Sequence, residues 1–171
     1  MDIGGDIQVM ITNVQRPAND IVEQGNMFNA TPIPNVQEYM IVKLHVECKK
    51  PTNDKCNFDR FEFKTVGADG QVHDQASVAG IPLEFEPYAE FFGGASLDGN
   101  IAFLVAQGDA SVVLFHEPIL FGDPVYIALE PTFTLAPIDT SLSTEAPANT
   151  NTPTPQYKLI AKQVIDNMVV R

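Results

Sequence analysis

The chain has 171 residues, 44% of them hydrophobic, and 22 acidic side chains against 10 basic ones give it a formal charge of −12. That length favours one core with an appendage over two domains, and that charge repels phosphate backbones and anionic headgroups, so nucleic acid is not expected as a partner. The hydrophobic fraction, with 11 Phe, excludes a wholly disordered chain. No stretch reaches the roughly 18 to 20 apolar residues that cross a bilayer, so no direct membrane insertion is expected, and Met1-Asp2-Ile3-Gly4-Gly5 does not read as a signal peptide.

Asp6 to Val14 alternates Ile7, Val9 and Ile11 with Gln8, Met10 and Thr12, which predicts a first strand with one wet face. Arg16-Pro17-Ala18-Asn19-Asp20 ends it. Ile21 to Gln37, with Gly25, Pro32, Pro34 and several Asn, reads as an extended surface loop without regular pairing. Within it Asn29-Ala30-Thr31 matches the glycosylation sequon, although an ordinary polar loop is the plainer reading.

Glu38 to Cys48 is the clearest strand. Met40, Val42, Leu44 and Val46 share one face, and Tyr39, Ile41, Lys43, His45 and Glu47 share the other, mostly polar one. Cys48 and Cys56 bracket a polar, turn-rich segment, and a hairpin-like excursion there can bring their Cα atoms to the roughly 4.4 to 6.8 Å that a disulfide needs. Two reduced thiols are the alternative. No further Cys or His stands at ligand spacing, so neither a metal site nor a cofactor is expected.

Phe58 to Val66 supplies Phe61, Phe63 and Thr65 to one face of the next strand, and Gly67-Ala68-Asp69-Gly70 turns it into Gln71-Val72-His73 as a β-hairpin. From Asp74 to Tyr88, Ala76, Ala79, Gly80, Pro82 and Pro87 interrupt any ladder, which suits a long crossing between sheets. Glu84, Glu86, Glu90 and Asp98 are near enough in sequence to raise a cation site, but they lack the cadence of a calcium loop, and a solvated acidic rim is simpler. Gly93, Gly94 and Gly99 then punctuate a turn, where glycine permits positive φ or a close approach, and Ile101, Phe103 and Val105 fall on one face of the strand that follows. Gln107-Gly108-Asp109 leads into Ser111 to His116 as a second hairpin. Val125, Ile127 and Leu129, alternating with Tyr126 and Ala128, supply a closing strand.

The sequence of Glu38-Tyr39-Met40-Ile41-Val42-Lys43-Leu44, Phe61-Glu62-Phe63-Lys64 with Asp69-Gly70, Gly93-Gly94 through Gly99-Asn100-Ile101-Ala102-Phe103-Leu104-Val105, and Phe121-Gly122-Asp123-Pro124-Val125-Tyr126-Ile127-Ala128-Leu129 resembles a bacterial and archaeal family of exported telokin-like domains of unknown function. Relatives of that family include a small immunoprotective extracellular protein of mycobacteria. The similarity covers about residues 6 to 130. It implies an antiparallel immunoglobulin-like β-sandwich outside the cytoplasm, at the cell surface or free of it, with no catalytic residues to carry over. The chain departs from the family in its Asn29 to Gln37 loop, its Cys48 and Cys56 pair, and everything after Leu135.

The expected fold is therefore all-β: an antiparallel Ig-like β-sandwich over residues 1–135, a Pro/Thr/Ser-rich linker over 136–156, and an apolar C-terminal tail over 157–171. In the tail, Tyr157, Ile160, Ala161, Val164, Ile165 and Met168 make a helical stripe, whereas the β-branched residues favour an added strand. Either form presents Tyr157, Leu159, Ile160, Val164, Ile165, Met168 and Val169 for docking, on the sandwich of the same chain or of a neighbouring copy. A linker stretched at about 3.1 Å per residue spans about 60 Å, enough to reach a neighbour. The leading expectation is a non-enzymatic extracellular module that works through contacts with protein, including copies of itself. A soluble binder of a cation or small ligand at the acidic rim is the alternative. Neither G-x-S-x-G nor H-E-x-x-H occurs, and His45, His73 and His116 fall on separate predicted strands, so no catalytic residue is assigned.

Overall fold

The computed structural model describes residues 1–118 and 123–129, all within Met1–Pro131, the first of two units into which the chain divides. The linker over 136–156 and the docking residues Tyr157, Leu159, Ile160, Val164, Ile165, Met168 and Val169 lie outside the described residues. In chain order the elements are β1 (Ile7–Gln15), α1 (Asn19–Gly25), β2 (Gln37–Cys48), β3 (Lys55–Asp59), a 3-10 turn (Arg60–Glu62), β4 (Phe63–Val66), β5 (Val72–His73), β6 (Tyr88–Phe92), β7 (Ser96–Ala106), β8 (Val113–His116) and β9 (Val125–Ala128).

Every strand pairing within these sheets is antiparallel. One layer is the sheet β1-β2-β7; facing it are the ribbon β3-β6 and the sheet β5-β4-β8-β9. This is the Ig-like sandwich that the alternating pattern predicts. β2 is central because both its edges are used: it pairs with β1 from Ile7↔Cys48 to Gln15↔Ile41, and with β7 from Gln37↔Ala106 to Glu47↔Ser96. Its inward residues Met40, Val42, Leu44 and Val46 are fully buried, and they meet Ile101, Phe103, Phe58, Phe63 and Leu114 in one core. Each such side chain contributes about 1.5 to 3 kcal/mol of transfer free energy, which is offset largely by ordering the chain.

Two local departures have plain causes. A bulge at Thr12 separates Ile11↔Leu44 from Asn13↔Lys43, and the extra residue returns Val14 to the core side although strict alternation from Ile11 would point it outward. Phe58 to Val66 is not one strand, because Asp59 caps the intervening 3-10 turn by accepting from the Phe61 N–H at 2.8 Å. Phe61 is thereby turned out to solvent while Phe63 and Thr65 stay buried.

Three further expectations change. Ile21 to Gln37 is not wholly loop: α1 sits there, and with the crossing segment it covers Tyr39, Ile41 and Ala102 on the outer face of the β1-β2-β7 sheet. That second small core, holding Ala18, Val22 and Ile81, buries the two apolar residues of β2's otherwise polar face. Next, β7 and β8 are not a hairpin, since β7 pairs with β2 and β8 with β4 and β9. Finally, the glycine-rich stretch joins two strands, β6 and β7, rather than feeding one. The β4-β5 hairpin forms as expected, with Thr65↔His73 and Val66↔Val72.

The glycines serve as the spacing implies. Gly94 has φ of +79°, a Cβ on Gly93 would collide with the Lys50 and Pro51 carbonyls, and a Cβ on Gly99 would meet the Phe85 ring at 2.5 Å. The crossing segment 74–87 contains no strand but follows the outer edge of β7: Ala76 N–H donates to Ala102 O, Asn100 N–H to Leu83 O, and Phe85 N–H to Asn100 O.

Candidate functional surfaces

Cys48 ends β2 and Cys56 lies in β3, so their bond ties one layer to the other; S–S is 2.07 Å and Cα–Cα is 5.8 Å. Both residues are fully buried. The bridge pins the 49–55 turn against which Gly93 packs, and Gly93 N–H donates to Asp54 O at 2.9 Å.

The acids of the proposed cation rim are not brought together. Glu84 pairs with Arg60 at 2.6 Å, Glu90 with Lys55 at 2.8 Å and Asp98 with His45 at 3.2 Å. Among the described residues no group of three or more His, Cys, Asp or Glu side chains is arranged to hold a metal ion. The histidines are equally dispersed: besides His45, His73 lies 2.9 Å from Asp69 and His116 lies 2.8 Å from Glu62.

His116 borders a cleft of about 250 Å³ with Ile3, Phe58, Asp59 and Glu62. Burial pushes the Asp59 carboxyl above its ordinary range, the Glu62 charge adds to this, and the Phe61 N–H works against it. The His116 ring is buried and lies tilted at 59° against Phe63, with ring centroids 5.1 Å apart. The cleft is mixed in character: apolar Ile3, Ile7 and Phe58 line it beside the titratable Asp59, Glu62 and His116.

The end of the sandwich that holds the β1-β2-β7 sheet together is a polar node. Arg16 donates to the Glu38 carboxylate and to the Asp109 and Ala106 carbonyls, and Gly108 N–H donates to Glu38 at 3.2 Å. Glu38 is buried, so its charge is balanced by Arg16 in place of water.

Among the described residues, large apolar side chains that reach solvent cluster in two places, while Met10, Val72 and Leu83 are exposed singly elsewhere. On the turn before β2, Met27 and Phe28 are 86% and 87% exposed, with Ile33 and Val36 also open. Asn29 anchors that turn: its Nδ2 donates to Val22 O at 2.7 Å and Ala79 O at 3.0 Å, and its Oδ1 accepts from Ala79 N–H at 2.9 Å. The sequon asparagine is thus committed to the fold, which leaves no free amide nitrogen for a glycan. On the outer face of the β3-β6 ribbon, Tyr88, Phe92 and the neighbouring Phe61 are 71%, 52% and 45% exposed. Phe61 and Tyr88 meet edge to face at 6.1 Å, Lys55 lies over Phe92 at 5.5 Å and Arg60 over Phe61 at 5.2 Å. Sequence reasoning noticed neither surface, because an outward Tyr or Phe has the same local pattern as an inward one.

An antiparallel Ig-like sandwich with a cross-layer disulfide and apolar surfaces is the class this architecture defines. No family model matches the sequence, and no curated protein matches it. Among solved structures the chain is similar to ycdA of Bacillus subtilis, provisionally classed as a lipoprotein, with TM-score 0.54 and 18% identity over 71% of this chain and 35% of that one. It is also similar to the yjhA protein of Bacillus subtilis, with TM-score 0.51 and 11% identity over 74% of this chain and 93% of that one. A secreted protein of Mycobacterium tuberculosis, MPT63, matches with TM-score 0.48 and 12% identity over 71% of this chain and 82% of that one. The chain thus spans about a third of the length of ycdA. The two Bacillus structures share the fold, in agreement with the all-β sandwich read from the sequence.

Proposed function

We propose that this protein is a non-enzymatic module outside the cytoplasm that acts through protein contacts, with residues 157–171 docking on the sandwich of a neighbouring copy to build a surface filament. The observation that carries this reading is the composition of that segment. It holds Lys158, Lys162 and Arg171 against Asp166 alone, beside Tyr157, Leu159, Ile160, Val164, Ile165, Met168 and Val169. Its net charge is +2, so the rest of the chain carries −12 − 2 = −14. An apolar, basic segment next to an acidic body favours contact on both hydrophobic and electrostatic grounds.

The location is supported by the fold shared with a protein classed as a lipoprotein, and by the buried Cys48–Cys56 bridge, a bond retained in oxidising compartments. A small-ligand binder using the His116 cleft is the second reading; its acidic-rim form loses its basis because three of those four acids face separate basic partners.

Removing residues 157–171 tests docking. The full chain is expected to show concentration-dependent growth in mass by light scattering, and the shortened chain to lose most of it. Equal mass for both at every concentration defeats the filament.

A further inference from the structure

We propose that the cavity beneath the crossing segment, together with the aromatic pair at its mouth, binds one ring of a neutral sugar chain. The site is built from residues 60–102 and goes beyond the tail-docking reading, on which it does not depend.

The cavity follows from how the crossing segment meets β7. Ala76 N–H donates to Ala102 O at 2.9 Å and Asn100 N–H donates to Leu83 O at 2.8 Å, so residues 77–82 of the segment correspond to Ile101 alone on the strand and must bow outward. Asn100 Nδ2 ties down the far side of this arch by donating to Pro82 O at 2.6 Å. A cavity of about 220 Å³ is left there, lined by apolar Val78, Ile81 and Ala102 and by polar Arg60, Gln75 and Glu84. Arg60 braces both feet of the arch. Its Nη1 donates to Glu84 Oε1 at 2.6 Å and to Phe85 O at 2.7 Å, and its carbonyl accepts from Gln75 Nε2. A site braced in this way is formed before a ligand arrives and gives up little conformational freedom on binding.

The donors and acceptors select the ligand. Arg60 Nε is buried without a hydrogen-bond partner among the described residues, a loss that a ligand oxygen restores. Glu84 has a second carboxylate oxygen beside the one that Arg60 holds. Neighbouring hydroxyls answer both groups, because one oxygen accepts from the guanidinium while an O–H donates to the carboxylate. A carboxylate or phosphate would satisfy Arg60 but oppose Glu84. It would also be repelled by a chain of charge −12 in which Asp59, Glu62 and Glu86 flank these residues in sequence. An ammonium would meet Arg60. An uncharged ligand rich in hydroxyls avoids both conflicts.

The aromatic rings supply the other half of sugar recognition. Phe61 lines the cavity and meets Tyr88 edge to face at 6.1 Å. The Arg60 guanidinium covers Phe61 at 5.2 Å, while Tyr88 is 71% exposed. A pyranose presents a face of C–H groups, which the electron-rich face of an aromatic ring attracts, and a rim of hydroxyls for planar polar side chains. The cavity is smaller than the roughly 300 Å³ at which pockets for drug-sized ligands begin. It suits a single ring, with the rest of the chain running out across Tyr88.

The test presents the full chain with immobilised cellohexaose, mannohexaose, galactohexaose and chitohexaose as neutral probes, and with heparin and oligogalacturonate as acidic ones. The best neutral probe is then titrated in solution by calorimetry. Binding to at least one neutral probe and to neither acidic one is expected. Tyr88→Ala and Glu84→Gln should each weaken it at least about tenfold. Tyr88 is exposed, so melting of its variant should stay near that of the parent. Phe28→Ala, which removes an aromatic side chain 87% exposed but outside the cavity, should bind as the parent does. No binding to any neutral probe, preference for the acidic probes, Tyr88→Ala binding like the parent, or Phe28→Ala weakening it as much as Tyr88→Ala overturns the proposal. Mass in solution does not enter this readout, so tail docking and sugar binding fail separately.

Discussion

Asp109 shows how single side chains close the polar end of the sandwich. Its carboxylate accepts from Ala68 N–H at 2.7 Å, Ser111 N–H at 2.8 Å and Ser111 Oγ at 2.6 Å. Burial alone would push its carboxyl up; the Ser111 hydroxyl, the two N–H groups and the Arg16 charge outweigh that and hold it below the usual range. A carboxyl lowered by folding stabilises the protein at pH values above its unfolded range, and that contribution is lost as pH falls through the folded value. Urea midpoints should therefore decline as pH drops from about 5 toward 2, and Asp109→Ala should flatten part of that decline while costing about 1 to 3 kcal/mol near neutrality. If the variant shows the same acid slope as the parent, the stabilisation comes from elsewhere. The glycines of the 93–94 turn make a second residue-level case. Ala at Gly94 meets no atom within 4 Å but must adopt φ of +79°, a strain of about 1 to 2 kcal/mol. Asn, which tolerates that region, should recover part of the loss at Gly94 but not at Gly93, where the neighbouring carbonyls leave no room for any Cβ. Thermal melts of Ala and Asn at each position check this, and rescue by Asn at both sites would contradict it.

At the scale of elements, β2 was legible because period-two alternation over 12 residues has few competing readings. The disulfide reading was accessible for a similar reason: a short polar excursion leaves its two ends close. Replacing Cys48 and Cys56 together with Ser should lower stability by about 2 to 4 kcal/mol; an unchanged denaturant midpoint would show that the bridge adds nothing. What the sequence obscured was pairing at a distance. Ala106 and Ser111 are joined by a turn that resembles a hairpin, but β7 belongs to β2 and β8 to β4, and local alternation does not say which layer a strand enters. α1 was hidden because seven residues with Asn, Asp and Gly have weak intrinsic helicity. It forms because Val22 is buried against Tyr39 and Ile41. The 3-10 turn escaped notice because Phe61 keeps the parity of Phe63 and Thr65 in sequence while Asp59 breaks the strand in space.

Across the whole molecule, charge and apolar exposure are unevenly distributed. No Lys or Arg occurs between Lys64 and Lys158, so the second half of the sandwich carries only acids among its permanently charged groups. This favours solubility and opposes indiscriminate association, so contacts between copies must lie where cations are found. The self-contact proposed above through residues 157–171 follows that rule. The apolar faces were the least readable feature, since burial is a property of the assembled layers. The covering of β7 by residues 76–85 has a bearing on this economy. Ala76, Leu83 and Phe85 occupy backbone groups that a foreign strand would otherwise recruit, and Pro82 offers no N–H to replace them. That flank of the sheet is insulated against lateral accretion, with amyloid-like stacking from β7 closed off by the chain itself.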